Sequence, residues 1–241
     1  MNLYRRLVAE WLGTAFLLAI IVGSGIMAER MAPRDTGEAL LANALATGCG
    51  LAALILTFGE ISGAHFNPVV SLAAAIRHEL TGREATLYIS VQIIGAFCGV
   101  AASHAMFGEP TFFASHHVRT GPSQWWSEFL ATFGLLGVVM GCSQSHPKAV
   151  PFAVACYIVA AYWFTSSTSF ANPAVTLARA ASDTFAGIRP QDTLAFIAAQ
   201  FTGAVTATVI FAWLLCEKTS SVLSNEEVQL AITRKLPDIT E

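Results

Sequence analysis

Six apolar runs, each broken by few charged residues, occupy most of the chain. They are Leu7–Ala28, Ala39–Gly59, Ala85–Phe107, Ser127–Cys142, Ala149–Thr165 and Thr193–Cys216. A helix that crosses the hydrocarbon core of a bilayer needs about 20 mostly apolar residues. The pattern therefore predicts an all-α membrane protein with six transmembrane helices, of which the fourth and fifth are the shortest.

Two further apolar segments are long enough for only half a bilayer, and both contain an Asn-Pro pair. The first, Ser62–Ile76, contains Asn67, Pro68 and Val69; the second, Thr168–Ala181, contains Asn172, Pro173 and Ala174. Asn is a favoured N-cap, and Pro is favoured at the first helical position because its missing N–H is not needed there. Two such pairs in matched apolar segments predict two re-entrant half-helices.

The chain also repeats itself. Glu10 and Glu128 lie at similar places in the first and fourth spans, and Gln92 and Gln200 lie at similar places in the third and sixth. Because three spans per unit is an odd number, the copies must cross the membrane in opposite directions, an arrangement known from transport proteins. We expect inverted three-helix repeats at about residues 4–107 and 124–216 of one channel domain, residues 1–216.

Residues 217–241 are expected to form a cytoplasmic tail. Within it, Ser221–Leu236 predicts a short amphipathic helix, because Ser224 and Glu227 have the spacing of a capping box.

Composition agrees with a membrane location. Asp, Glu, Lys and Arg make up 12% of the chain, against roughly 25% in soluble domains. The net charge of −3 and the absence of a basic stripe argue against a nucleic-acid partner. Most Lys and Arg residues fall on the side of the two termini, so the positive-inside rule predicts that both termini are cytoplasmic. His116 and His117 are interpreted as a solvated loop, and no metal site is expected.

These motifs resemble those of the major intrinsic protein family, the aquaporins and aquaglyceroporins. The resemblance rests on Ala9–Thr14, on Ser62–Pro68 and on Ala171–Ala174, and it covers roughly Tyr4 to Cys216. It implies a passive channel in the cell (inner) membrane, crossing the bilayer several times. It also implies a homotetramer with one pore per subunit.

The resemblance assigns the two asparagines to the middle of the pore. If Asn67 and Asn172 cap the half-helices, their side-chain oxygens accept backbone N–H groups and their NH₂ groups meet a passing solute. The two helix N-termini would together repel cations. The preceding stretches are expected to run extended, with carbonyl groups facing the pore. Their residues are Gly63, Ala64 and His65 in one half, and Thr168, Ser169 and Phe170 in the other.

Glu10 and Glu128 are costly inside a span, so they need a task there. Their matched positions suggest that each accepts hydrogen bonds from the backbone of a re-entrant loop, which the family resemblance supports. The alternative is a proton relay in a coupled secondary transporter, although neither residue has an obvious basic partner.

The selectivity filter departs from the usual family pattern. Most members have an arginine directly after the second Asn-Pro-Ala, and here that position is Val175. Counting along the chain places Thr47 and Ser169 at two other filter positions. The span-five position is Ala160 by an ungapped count, or Tyr162 if Pro151 anchors the start of the span, which we prefer.

Arg179 lies four residues after Val175, and therefore one helical turn further along the same face. It is either a charge that partly restores the missing arginine or a solvated residue at the end of the half-helix. The solvated interpretation is the simpler one.

A filter of Thr47, Tyr162, Ser169 and Val175 favours solutes larger than water. We expect a passive channel for glycerol-like polyols and neutral metalloid hydroxides, with water; the pattern resembles bacterial members associated with arsenic resistance. A water-selective channel and a proton-coupled transporter using Glu10 or Glu128 are the alternatives. No paired catalytic carboxylates, nucleophile–base pair or phosphate loop is found, so neither an enzyme nor a cofactor is expected.

Overall fold

The computed structural model describes the backbone of residues 1–235 and the side chains of residues 1–216. Within that part all the regular secondary structure is helical. The helices are α1 Leu3–Met31, α2 Thr36–Ser62, α3 Pro68–Ile76, α4 Gly82–Phe107, α5 Pro122–Ser145, α6 Val150–Phe164, α7 Pro173–Arg179 and α8 Thr193–Lys235. Short 3-10 turns at Pro147–Ala149 and Pro190–Asp192 precede α6 and α8.

Six of the described segments are long and apolar enough to cross a membrane, which confirms the predicted spans. The fourth span is longer than its apolar run suggested, because α5 begins at Pro122 and extends over 24 residues. The two remaining helices, α3 and α7, are short and begin at Pro68 and Pro173, as the Asn-Pro pairs predicted.

Helices α1 and α4 pack along each other, and α5 and α8 pack in the same way. Both contacts need a glycine. A Cβ atom on Gly95 would collide with the backbone of Trp11, and a Cβ atom on Gly203 would collide with the backbone of Phe129. Close packing of spans through small residues is common in membranes, and here it occurs at matching positions of the two halves.

Helix α2 packs against α6, and the half-helices α3 and α7 contact each other. The described backbone of α8 continues without a break to Lys235, through most of the predicted tail helix Ser221–Leu236. Its amphipathic character depends on side chains that lie outside the described ones, as do residues 236–241 altogether.

Candidate transport pathway

The loops that precede the half-helices are not extended, and this corrects the sequence-based expectation. Residues at three matching positions in each loop have positive φ angles: Gly63 (90°), Ala64 (50°) and Phe66 (48°), and Thr168 (62°), Ser169 (50°) and Ala171 (48°). Left-handed backbone costs about 1–2 kcal/mol for a residue other than glycine. It persists here because each loop must point consecutive N–H groups to one side, whereas an extended chain points them alternately to opposite sides.

Those consecutive N–H groups in the first loop donate to Glu10. Its Oε1 accepts from the backbone N of His65 at 3.0 Å and from the Ser62 hydroxyl at 2.6 Å. Its Oε2 accepts from the backbone N of Phe66 at 2.7 Å and from the side-chain amide of Gln92 at 2.8 Å. Glu10 is fully buried. Both carboxylate oxygens are therefore engaged in holding the loop.

Glu128 does the same for the second loop. Its two oxygens accept from the backbone N atoms of Phe170 and Ala171, each at 2.9 Å, and Oε2 also accepts from Gln200 at 2.6 Å. Each glutamine amide donates a second bond to the hydroxyl four residues after the loop's asparagine. Gln92 donates to Ser71 at 2.9 Å, and Gln200 donates to Thr176 at 2.9 Å.

The two asparagines cap their helices and also connect the two loops. Asn67 Oδ1 accepts from the backbone N of Val69 at 3.1 Å, and Asn172 Oδ1 accepts from that of Ala174 at 3.0 Å. The Nδ2 atom of each donates across the junction at 2.8 Å, from Asn67 to the Ala171 carbonyl and from Asn172 to the Phe66 carbonyl. Each NH₂ group thus keeps one further hydrogen for a solute.

A cavity of about 230 Å³ passes this junction, and most of the candidate residues line it. They comprise Gly63, Ala64, His65, Asn67, Thr47, Tyr162, Ser169, Phe170, Asn172, Val175 and Arg179. His65 is oriented by a 3.0 Å bond between its Nδ1 and the Ser71 hydroxyl. The N-terminal turns at Pro68, Val69, Pro173 and Ala174 are buried behind the asparagines.

The four filter candidates come together. Tyr162 donates a hydrogen bond to the Thr47 hydroxyl at 3.3 Å, and Ser169 and Val175 are buried in the same wall of the cavity. Ala160, the other candidate in span five, is exposed and does not line the cavity. Pro151 lies in the first turn of α6, so the alignment anchored on that proline gives the residue that faces the cavity.

Arg179 is not a solvated residue, so the simpler interpretation from the sequence is wrong. Its side chain is buried, its Nε donates to the Ala186 carbonyl, and its guanidinium lies 3.4 Å from the centroid of the Phe170 ring. The segment after α7 folds back over the helix end, so this arginine is buried in the cavity wall. Arg179, one helical turn beyond Val175, therefore belongs to the cavity wall and not to the outer surface of the protein.

Sequence reasoning missed Arg119, which is not among the candidate site residues. This residue is buried, and its Nε donates to the Gly187 carbonyl at 2.8 Å. The loop that carries it, residues 108–121, links α4 to α5 and is bonded to the end of α7, and we call the end of the cavity at Arg179 the linker mouth. The only signal in the sequence was an arginine with no acidic residue between Glu109 and Glu128.

Backbone bonds hold this loop onto the end of α7. The N atoms of Phe113 and Ser115 donate to the carbonyls of Ala181 and Ala180 at 3.1 and 3.0 Å. Asp183 accepts from the ring and the backbone N of His116, each at 2.8 Å, and these bonds lower the pKa of its carboxyl. His116 itself is exposed, as expected of a solvated loop. Within the described residues, no cluster of His, Cys, Asp and Glu is arranged to hold a metal ion.

Comparison with known proteins gives a consistent result. The family model described as major intrinsic protein matches residues 1–151. The chain is 50% identical over 214 residues to aquaglyceroporin AqpS of Rhizobium meliloti (strain 1021), covering 89% of this chain and 91% of that one. It is 34% identical over 140 residues to aquaporin NIP6-1 of Arabidopsis thaliana, covering 57% and 45%.

Among solved structures, the aquaglyceroporin from Plasmodium falciparum superposes with a TM-score of 0.70 at 19% identity, covering 91% of this chain and 99% of that one. At 19% identity the match shows a shared fold and nothing about function. The fold, the family match and the long alignment agree that the protein is a multi-pass membrane channel and not an enzyme. The chain belongs to the major intrinsic protein family.

Proposed function

We propose that the protein is a passive channel for small uncharged solutes larger than water, namely glycerol-like polyols and neutral metalloid hydroxides such as arsenic species. Water passes with them. The observation that carries this proposal is Val175, an apolar side chain in the cavity wall, at the position to which the family resemblance assigns an arginine. The name of the relative AqpS, an aquaglyceroporin, supports the same solute class.

The polarity of the filter suits a hydroxylated solute. Ser169 Oγ is buried and has no hydrogen-bond partner in the described part of the chain, so it is available to a solute hydroxyl. Thr47 and Tyr162 supply two more hydroxyl groups, while Val175 gives an apolar surface for carbon atoms. A polyol or an uncharged hydroxide of arsenic presents hydroxyl groups around a compact body, which matches this lining.

The carboxylates support a passive mechanism over proton coupling. Each of Glu10 and Glu128 accepts hydrogen bonds from its own loop on both oxygens, so protonation would break contacts that hold the pore in shape. An ionised carboxylate is an acceptor only, which fits these partners. We assign both residues to loop support.

Assembly and orientation follow from the same proposal. We place the protein in the cell (inner) membrane as a homotetramer, with both termini cytoplasmic and the linker mouth on the outside. The excess of Lys and Arg on the side of the termini supports this orientation. Residues 4–107 and 124–216 are assigned to the two inverted repeats and residues 217–241 to the tail.

The test is solute uptake into liposomes that contain the full chain. A glycerol gradient should swell them at least tenfold faster than empty liposomes, and Val175→Arg should abolish most of this increase by narrowing the filter. Val118→Arg is the matched control, because Val118 is 55% exposed in the linker and away from the cavity. Wild-type liposomes that swell no faster than empty ones would contradict the proposal. Uptake of neutral arsenous acid, measured in the same way, tests whether the channel also conducts neutral metalloid hydroxides.

A further inference from the structure

Two buried arginines from different parts of the chain converge on one aromatic ring at the linker mouth. The guanidinium carbons of Arg179 and Arg119 lie 3.4 and 5.1 Å from the centroid of the Phe170 ring. Phe170 belongs to the second re-entrant loop and lines the cavity. A guanidinium near an aromatic ring is stabilised by the ring's electrons. The ring therefore holds two positive charges beside the solute path.

Backbone carbonyls hold both side chains in place. The Nε atoms donate to consecutive carbonyls, that of Arg179 to Ala186 and that of Arg119 to Gly187. Arg119 Nη1 also donates to the Ser167 carbonyl at 3.3 Å, within the re-entrant segment that leads to the filter residue Ser169. The planar guanidinium is suited to such several-point attachment.

Neither charge is neutralised by an ion pair among the described residues. Asp192 accepts from the backbone N of Arg119 at 3.0 Å but forms its ion pair with Arg189 at 2.9 Å. Glu128 attracts both arginines without pairing with either, since its oxygens accept from the second loop and from Gln200. A buried charge without a paired counter-ion is costly and is retained where it serves a purpose. Its field also reaches further in a medium of low dielectric constant than in water.

We propose that Arg119 is a specificity-determining residue which, together with Arg179, excludes cations at the linker mouth. The two arginines supply the charge that Val175 lacks, Arg179 from the cavity wall and Arg119 through its contact with Phe170, and neither occupies the filter position itself. A neutral polyol passes such a charge with little loss, whereas a cation is repelled. The proposal rests on the proposed function, because it concerns the selectivity of that same pore.

The test compares two fluxes through the full chain in liposomes. Glycerol swelling reports the neutral path, and an encapsulated pH- or sodium-sensitive dye reports the cation leak. For Arg119→Gln and for Arg179→Gln we expect the ratio of cation leak to glycerol flux to rise about tenfold, and for the double variant more. Arg30→Gln is the matched control, because Arg30 also lies against an aromatic ring, that of Phe107 at 5.3 Å, but is half-exposed and pairs with Glu109 at 2.7 Å.

Arg119→Lys separates charge from positioning. Lysine cannot make the bonds of the guanidinium fork, but it keeps the positive charge. If the charge is what repels cations, the cation leak of Arg119→Lys stays near the wild-type value. A leak that rises equally in Arg119→Lys and Arg119→Gln would overturn the electrostatic role. Restoring an arginine by Val175→Arg in the Arg119→Gln/Arg179→Gln background should lower the leak again, which also shows that the double variant is folded.

The outcomes distinguish the two proposals. Wild-type protein that conducts glycerol, with Arg119→Gln leaking no more cations than wild type, overturns the role of Arg119 and leaves the channel intact. Wild-type protein that conducts no neutral solute overturns the proposed function itself.

Discussion

The side-chain amide of Asn67 donates a hydrogen bond to the backbone carbonyl of Ala171 at 2.8 Å, so a residue of one re-entrant loop is tied directly to the other loop. The reciprocal bond runs from Asn172 to Phe66 at the same distance. The middle of the pore is therefore a closed pair of contacts between the two halves of the chain. Neither loop can move alone without breaking a buried hydrogen bond.

This relationship makes Asn67→Asp informative. Aspartate keeps the oxygen that caps α3 but loses the amide that donates to Ala171, and it brings a negative charge next to the helix N-termini. We expect the proton and cation leak of liposomes to rise at least tenfold. Asn2→Asp is the control, because Asn2 caps α1 in the same manner on the exposed surface. An unchanged leak would show that the asparagines contribute nothing to charge exclusion.

Loss of the Glu10 carboxylate should destabilise the protein rather than uncouple transport. In Glu10→Gln the NH₂ group cannot accept, so a buried donor among His65, Phe66 and Ser62 loses its partner. A buried donor without an acceptor costs about 1–3 kcal/mol. We therefore expect Glu10→Gln to lower the Tm measured in detergent, and Glu128→Gln to lower it by a similar amount. Glu60→Gln, at an exposed position, is the control.

The same variants test the proton-relay alternative. Glycerol flux per folded molecule of Glu10→Gln should be independent of a proton gradient, as should that of the wild type. A wild-type flux driven by the proton gradient and abolished by this substitution would favour the relay over loop support.

The contact between α1 and α4 should tolerate no side chain at Gly95. Gly95→Ala places a Cβ atom against the backbone of Trp11, and relief requires the two helices to separate. Such overpacking costs about 1–3 kcal/mol, which thermal unfolding in detergent would detect, and Gly203→Ala should behave similarly. Gly141→Ala in α5 is the control, since a Cβ atom there meets nothing within 4 Å. Equal Tm values for Gly95→Ala and Gly141→Ala would argue against tight packing.

Protonation of Asp183 at acidic pH should lower the stability of the folded protein at the linker mouth. Hydrogen bonds from the ring and backbone of His116 lower the pKa of Asp183 in the folded state, so its contribution to stability is present above the pKa of the unfolded chain, about 4. It is lost as the pH falls through the lower, folded value. The Tm difference between wild type and Asp183→Asn should be widest near neutral pH and shrink below pH ~4. A difference that is constant with pH would exclude this linkage.

Much of the fold was predictable because its signals are local. Apolar runs set the six spans, and Asn-Pro pairs set the starts of α3 and α7 at Pro68 and Pro173. The internal repeat was visible in Glu10 and Glu128, and the structure gives these residues matching partners. Tyr162 could be preferred over Ala160 because a proline anchors the start of its helix.

The remaining features depend on contacts between distant residues. Ala64 and Phe66 have positive φ angles that their residue types do not suggest, because Glu10 imposes the loop geometry from another helix. Arg119 and Gly187 are 68 positions apart, and only the path of the linker over α7 brings them together. Arg179 was considered solvated for the same reason, because its cover comes from residues that follow the helix.

The linker that carries Arg119 joins the two repeats that we propose and belongs to neither of them. Duplication of a three-helix unit supplies a path whose two ends are alike, and any difference between the ends must come from segments that occur once. The linker is such a segment, and its Arg119 contacts Phe170, a residue of the cavity wall. Under the role proposed for Arg119, substitutions in the linker change what the channel admits without altering any helix that faces the lipid, so selectivity can evolve separately from membrane insertion.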